Sequence, residues 1–174
     1  MTAVRLVVFL CIGQIFGMAS FASFATLAAL FMDMWSLSAS DVGWVSGIYL
    51  VGYVVGAPIL SGLTDQVDAR QVCLWATVFT AVSVLGFVLF AEGFWTAMLF
   101  RALTGLGLAG TYMPGLKALT DGYEGEKQSR SVAFYTASFG VGAALSYVIT
   151  SQIFDISNWH WAVAAGAVGS AVSW

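Results

Sequence analysis

Apolar stretches of about 20 residues recur along the whole sequence, and they leave few folds open to it. Of the 174 residues, 60% are hydrophobic and 9% are charged, and the mean hydropathy is +0.89. About a quarter of the residues in a typical water-soluble domain are charged. A disordered chain, in contrast, combines low hydrophobicity with high net charge. The sequence therefore predicts a protein that crosses a membrane several times and has the lipid bilayer as its surroundings.

Six apolar segments can be placed as membrane-crossing helices. They cover about residues 4–32, 41–63, 72–91, 94–119, 131–154 and 159–174. Continuous apolar character indicates helices, because the strands of a membrane barrel alternate apolar and polar residues over about ten positions. Ser40, Ser129 and Ser131 are candidate N-caps of the second and fifth segments. The expected fold class is an all-α membrane protein.

The basic residues predict the orientation of these segments. Five of the six would lie on one side of the membrane, namely Arg5, Arg70, Lys117, Lys127 and Arg130. Because cytoplasmic loops carry an excess of Lys and Arg, the N-terminus and the loop 120–129 are expected in the cytoplasm. The expected location is the cell membrane, which in a bacterium is the inner membrane. A cleavable signal peptide at the N-terminus is the alternative, but the apolar run continues to Phe31, beyond a normal signal core.

Several classes of function fit the composition poorly. Nine acidic and six basic residues provide no basic surface for nucleic acid. Cys11 and Cys73 lie inside apolar runs, and His160 is the single histidine, so the sequence predicts no metal site, no cofactor and no catalytic group. An intramembrane enzyme is the less favoured alternative, since no serine motif with a partner histidine is present.

Residues 61–70, Ser-Gly-Leu-Thr-Asp-Gln-Val-Asp-Ala-Arg, resemble the cytoplasmic signature of the major facilitator superfamily, G-x-L-a-D-R-x-G-R-R. Asp65 and Arg70 stand at matching positions, while Gln66 and Asp68 depart from the pattern. The nine residues that begin at Arg101 are similar to the pattern of helix four in that family. Two further stretches, residues 35–47 and 158–162, are similar to the family's entries to helices two and six.

The resemblance implies a transporter of two six-helix halves, each a pair of inverted three-helix repeats, with a substrate pathway between the halves. This chain would be the N-terminal half. It would take part in secondary active or facilitative transport of a small solute by alternating access. The sixth segment has 16 residues, or about 24 Å at 1.5 Å per residue, which is shorter than a core of about 30 Å. We therefore expect a truncated chain whose C-terminal half is missing, with a natural half-transporter as the alternative. A non-transporting membrane scaffold is the alternative function.

Arg101 is the sole ionisable residue that we place inside an apolar segment. A cation costs about 2.5–3.5 kcal/mol at the centre of a membrane helix, so it usually faces a cavity or a partner. We expect Arg101 to face the cavity, where it binds an anionic group of the substrate or interacts with a coupling proton site. A side chain that reaches the outer headgroups is the alternative. Gln14, Tyr112 and Tyr135 complete the candidate pathway, although each could instead be an interhelical hydrogen-bonding group.

Two further expectations concern the loops and the small residues. By the resemblance, Asp65 and Arg70 belong to a charge cluster that stabilises one state of a cytoplasmic gate. The glycines of the second, fourth and fifth segments, such as Gly47, Gly105 and Gly142, are expected mainly to let helix backbones approach closely. No proline follows Gly142, which argues against the family's antiporter signature and for uptake or facilitated movement.

Overall fold

The computed structural model describes residues 3–172, with side chains from Arg5 onward, and within them it contains helices and no β-strand. The all-α class is thereby confirmed. The helices are α1 (Ala3–Gly17), α2 (Ser23–Thr26), α3 (Ala28–Trp35), α4 (Ala39–Leu63), α5 (Ala69–Phe90), α6 (Phe94–Gly122), α7 (Gly125–Ile156) and α8 (Trp159–Val172), with a 3₁₀ turn at Met18–Ser20 after α1. The last two residues of the sixth predicted segment lie outside the described residues.

Three helices within residues 3–172 are long and apolar enough to cross a membrane: α4, α5 and α7. A shorter apolar helix covers Arg5–Ser20. Helix α6 has 29 residues, but Arg101 and several glycines and threonines lower its hydropathy. The six crossings predicted from the sequence therefore remain a prediction.

The first predicted segment is interrupted rather than continuous. Residues 18–27, which we call the interruption, form the 3₁₀ turn, a bend and the four-residue α2. Ser23 Oγ donates a hydrogen bond to the carbonyl of Ser20 at 2.9 Å. Such side-chain bonds compete with the helical backbone pattern. The helix then resumes as α3 and ends at Ser36, whose φ of 52° lies in the left-handed region.

The predicted N-caps were wrong. Helix α4 is capped by Ser38, not Ser40, because Ser38 and Asp41 form a reciprocal capping box. Helix α7 begins at Gly125, so Ser129 and Ser131 lie within it rather than at its start. Gly125 has φ of 59°, a conformation that favours glycine and lets the chain turn sharply from α6 into α7.

Helix α6 is the centre of the bundle and packs against both α4 and α5, while α1 packs against α7 and α5 against α8. A Cβ atom on Gly105 would lie 1.8 Å from the carbonyl oxygen of Tyr49, and one on Gly52 would lie 2.1 Å from that of Ala102. The backbones of α4 and α6 are therefore in direct contact, as small residues permit in a membrane. Gly43 and Gly47, in contrast, face open space.

Candidate functional site

Arg101 is buried in the bundle and binds the backbone of the interruption. Its Nη1 donates to the carbonyl of Ser20 at 3.0 Å, and its Nη2 donates to the carbonyl of Phe21 at 2.9 Å. Its guanidinium carbon lies 4.6 Å from the centroid of the Tyr49 ring, a cation–π distance. No carboxylate of the described residues lies within ion-pair distance of it. The charge of Arg101 is therefore met by carbonyl dipoles and a π-face.

Ser146 of α7 completes the backbone hydrogen bonding of the interruption. Its hydroxyl accepts from the amide of Ala22 at 3.1 Å and donates to the carbonyl of Ala19 at 2.7 Å. Together with Arg101, it gives hydrogen-bonding partners to backbone groups of four consecutive residues. Broken helices are tolerated at membrane depth only where such partners replace the missing helical bonds.

Gln14, Tyr112 and Tyr135, three residues of the predicted pathway, come together. Tyr135 Oη donates to Gln14 Oε1 at 3.2 Å and lies 3.3 Å from the carbonyl of Tyr112. The rings of Tyr112 and Tyr135 are stacked with centroids 5.2 Å apart. A Cβ on Gly115 would lie 2.3 Å from Tyr135 Oη, so glycine at this position makes room for the tyrosine.

Four half-buried aromatic side chains form a patch, which we call the aromatic patch: Phe21, Tyr53, Tyr112 and Phe139. Sequence reasoning named Tyr112 and missed the other three. Ring centroids are 5.8 Å apart for Phe21 and Phe139, 6.0 Å for Tyr112 and Phe139, and 6.3 Å for Tyr53 and Tyr112. These are ordinary distances for aromatic pairs. A signal was available, because Tyr49 and Tyr53, like Tyr135 and Phe139, are four residues apart and share a helix face.

The site thus has two layers. Arg101, Gln14 and Tyr135 are buried within this bundle, whereas the side chains of the aromatic patch are partly exposed. The layers are connected, since Arg101 binds the backbone of Phe21 and contacts Tyr49, whose ring meets that of Phe21 edge-on at 5.3 Å. A molecule that approaches this face would meet the aromatic patch first.

The two predicted residues of the cytoplasmic gate do not meet each other. Asp65 forms an ion pair with Lys117 of α6, which is the one ion pair among the described residues. The backbone amide of Arg70 donates to Asp68 Oδ1 at 2.8 Å, an N-terminal cap of α5, and its side chain is exposed. The structure therefore connects the C-terminal end of α4 to the C-terminal half of α6 through Lys117, which the sequence analysis used only for orientation.

Residues 10–174 match the model of the Major Facilitator Superfamily. The chain belongs to this superfamily. This confirms the resemblance drawn from residues 61–70 and from Arg101 onward, and proteins of this superfamily are multi-pass membrane proteins.

Individual relatives are more distant. "Protein spinster homolog 1" of Xenopus tropicalis is 25% identical over 143 residues, which cover 79% of this chain and 27% of the relative. The human protein of the same name has the same identity and coverage. A "Putative metabolite transport protein" of Haemophilus influenzae is 22% identical over 148 residues, or 85% of this chain and 36% of the relative. The chain thus spans about a third or less of the length of these relatives.

Proposed function

We propose that this chain is the N-terminal half of a secondary active or facilitative transporter that moves a small solute by alternating access. Membership of the major facilitator superfamily supports this, as does the name of one relative, "Putative metabolite transport protein". In this proposal the chain pairs with a C-terminal six-helix half that lies beyond the present sequence. It resides in the cell membrane with its N-terminus and the loop 120–129 in the cytoplasm, where most of the basic residues fall.

The observation that carries the proposal is the aromatic patch beside an interrupted membrane helix. Discontinuous helices form substrate sites in several transporter folds, because their free backbone groups and irregular shape line a cavity. Here the patch leaves aromatic surface partly exposed on the bundle, next to such an interruption. We assign Tyr112 and the rest of the aromatic patch to solute contact. Arg101, Gln14 and Tyr135 belong to the same pathway and act from the layer behind it.

The charge of Arg101 favours a solute with an anionic group. A buried cation without a carboxylate partner lowers the free energy of a nearby anion, and the surrounding low dielectric strengthens that attraction. The described residues place no carboxylate within ion-pair distance of Arg101. Arg101 is buried behind the aromatic patch and each Nη donates to a carbonyl group, so in this proposal its charge attracts the solute at a distance rather than by direct contact.

At the cytoplasmic end, we assign Asp65, Lys117 and Arg70 to the gate. The Asp65–Lys117 pair holds the inner ends of α4 and α6 together. Arg70 has an exposed side chain at the start of α5, where it can bind a partner in another part of the protein.

Transport can be tested with the full-length protein that carries this chain, reconstituted in liposomes. Uptake of radiolabelled short carboxylates, phosphate monoesters and neutral sugars would be compared with that of empty vesicles. We expect saturable uptake of one or more anionic solutes. Tyr112→Ala should lower it about tenfold or more, as expected for the loss of about 1.4 kcal/mol of solute binding. Trp75→Ala, which removes an exposed aromatic ring from α5, serves as the control and should leave uptake unchanged.

Two results would contradict the proposal. Uptake equal to that of empty vesicles for every solute would favour the non-transporting scaffold. Saturable uptake that Tyr112→Ala leaves intact would show that the solute takes a path away from the aromatic patch.

A further inference from the structure

We propose that Ser146 is a positioning residue of the transport pathway. Its hydroxyl fixes the shape of the interruption and keeps Phe21 in the aromatic patch. It also joins α7 to the outer part of the first span, by which we mean α3 in the first predicted segment, residues 4–32. This inference rests on the proposed function for its consequence in transport, but the contact itself can be tested without a solute.

The hydrogen-bonding pattern carries the argument. One hydroxyl serves the amide of Ala22 and the carbonyl of Ala19, two groups that face a gap in the helical pattern. The amide of Phe21 bonds to the carbonyl of Met18 at 2.9 Å, which is the spacing of a 3₁₀ turn. The α-helical partner of Ala22 N–H would also be the Met18 carbonyl, which the turn already uses. Ser146 therefore takes the place of a missing backbone acceptor.

The hydrogen bonds of Ser146 are important because the groups that they join are buried. Ser146 is fully buried, and Ala22 is 1% exposed. A backbone amide that loses its partner at such a position has no water to replace it, and an unsatisfied buried donor is costly. Without the hydroxyl, the backbone around Ala22 would have to move in order to find another acceptor.

Shape complementarity holds the rest of the turn in place independently of Ser146. A Cβ on Gly142 would lie 2.8 Å from Met18 Cβ, one on Gly166 would lie 2.7 Å from Ser20 Cβ, and one on Gly169 would lie 2.5 Å from Ala19 Cβ. Helices α7 and α8 therefore pack directly against the 3₁₀ turn. Loss of the Ser146 hydroxyl should free the Ala22 amide while this packing persists.

The consequence for transport follows from which helices meet at the turn. Ser146 belongs to α7 and binds Ala19 and Ala22, while Arg101 belongs to α6 and binds Ser20 and Phe21. Helices α6 and α7 thus both bind the first span at the interruption. A displacement of α7 would carry Phe21 and the start of α3 with it, so that α7 and the outer part of the first span move as a unit.

The test measures amide hydrogen exchange of the full-length protein in lipid nanodiscs, at the peptide that contains Ala22. Ser146→Ala should accelerate exchange of this amide about tenfold, which corresponds to the loss of one buried hydrogen bond. Ser83→Ala is the matched control. Ser83 is also buried, and its hydroxyl donates to the carbonyl of Phe79 in its own helix. Its substitution should leave exchange at Ala22 unchanged.

Ser146→Thr separates the hydroxyl from the packing. It keeps the hydroxyl, so exchange near the wild-type rate is expected. Acceleration by Ser146→Thr equal to that by Ser146→Ala would assign the effect to packing and overturn the proposal. Unchanged exchange in Ser146→Ala would overturn the proposal directly.

If Ser146→Ala does not give folded protein, Ser146→Cys replaces it, since a thiol is a weaker donor and acceptor. Exchange at the wild-type rate in that variant would count against the proposal.

A second measurement follows the motion. Spin labels at Met34 of α3 and Val148 of α7, both exposed, would report the distance between the two elements after Cys11 and Cys73 are replaced by alanine. We expect a broader distance distribution in Ser146→Ala than in Ser83→Ala. Equal distributions would refute the role of the Ser146 hydroxyl in coupling α7 to the outer part of the first span. Neither readout needs a solute, so a failure of transport and a failure of this inference can be told apart.

Discussion

Single side chains from α6 and α7 complete the backbone hydrogen bonding of the first span. Arg101 provides two donors to adjacent carbonyls, and Ser146 provides one donor and one acceptor. Both side chains are buried, where unpaired polar groups are most costly. At the residue scale, therefore, the interruption depends on side chains from two other helices as much as on its own sequence.

Substitution of Arg101 tests how far this dependence goes. Arg101→Ala removes the charged donor from the carbonyls of Ser20 and Phe21, although the Ser20 carbonyl keeps Ser23 Oγ as a second donor. We expect it to destabilise the protein by about 1.5–3 kcal/mol for each charged hydrogen bond lost. Arg101→Lys keeps the charge but not the planar fork, and its effect should be intermediate. Thermal unfolding in detergent checks the order. Membrane insertion should persist, because removal of a charge makes insertion easier.

Solute uptake by the same two variants, at matched abundance in the membrane, separates the two interpretations of Arg101. If Arg101 belongs to the solute pathway, Arg101→Ala and Arg101→Lys should both lower uptake. Near-normal uptake in both variants would exclude Arg101 from the solute pathway.

The glycines provide a second test at this scale. Gly105→Ala places a methyl group against the carbonyl of Tyr49, so α4 and α6 must separate, and overpacking of this kind costs about 1–3 kcal/mol. Gly47→Ala is the matched control, because a Cβ there meets nothing within 4 Å. The thermal unfolding temperature of this chain in detergent should fall for Gly105→Ala and not for Gly47→Ala. An equal decrease would contradict the direct contact of the two backbones.

Sequence reasoning identified Arg101 correctly as unusual, since a lone charge in an apolar helix is visible in the sequence. Its partners were not predictable, because they are backbone carbonyls 80 and 81 positions away, and the sequence does not show which carbonyls are free. The contact between Gln14 and Tyr135 likewise joins residues 121 positions apart. Such pairings depend on helix packing that hydropathy does not determine.

At the scale of elements, the first span shows where hydropathy reasoning fails. Residues 4–32 are continuously apolar, and that property predicts one helix. The structure instead divides them among α1, a 3₁₀ turn, α2 and part of α3, which extends to Trp35. Hydropathy measures the affinity of side chains for lipid and does not register local competition by serine hydroxyls or the supply of hydrogen bonds from other helices. The predicted starts of α4 and α7 were also wrong. Several serines lie near each start, and hydropathy does not show which residue caps the helix.

The ion pair between Asp65 and Lys117 connects two elements and gives a prediction of its own. Both side chains are partly exposed, so water screens the pair and its contribution to the free energy of unfolding should be small. Asp65→Lys and Lys117→Asp should each lower the unfolding temperature slightly, and the exchanged double variant should recover it. The coupling should shrink between about 0.01 M and about 1 M salt, as the Debye length falls from about 30 Å to about 3 Å. The stability losses of the two single variants can be added to predict that of the double variant. If the double variant is no more stable than this sum predicts, the pairing is contradicted.

At the scale of the whole molecule, orientation is a prediction that the distribution of basic residues supports. A single cysteine at Glu124, in a background without Cys11 and Cys73, should react with a membrane-impermeant thiol reagent only after cells are opened. Glu124 directly precedes α7 and is exposed, so the reagent can reach it. Reaction in intact cells would reverse the orientation.

The family was predictable at this scale because four short motifs occur in the right order along the chain, and motif order does not depend on knowing the packing. The four-residue spacing of aromatic residues within α4 and within α7 was visible in the sequence. The aromatic patch itself was not, because its residues come from the first span, α4, α6 and α7 and become neighbours only in the assembled bundle. Family membership therefore came from local sequence, while the candidate solute surface required the structure.

The central claim is that the face bearing the aromatic patch lines an aqueous pathway. Thr136 is exposed on this face, with its Oγ1 3.5 Å from Tyr112 Oη, and lies five residues into the predicted crossing 131–154. Val78 is exposed on α5 at a similar depth, six residues into the crossing 72–91. The deciding measurement is the rate at which a charged maleimide labels Thr136→Cys and Val78→Cys in the full-length protein, in inside-out vesicles and without the native cysteines. The account predicts rapid labelling at position 136 and none at position 78, whereas equal labelling at the two positions, or labelling at 78 alone, would contradict it.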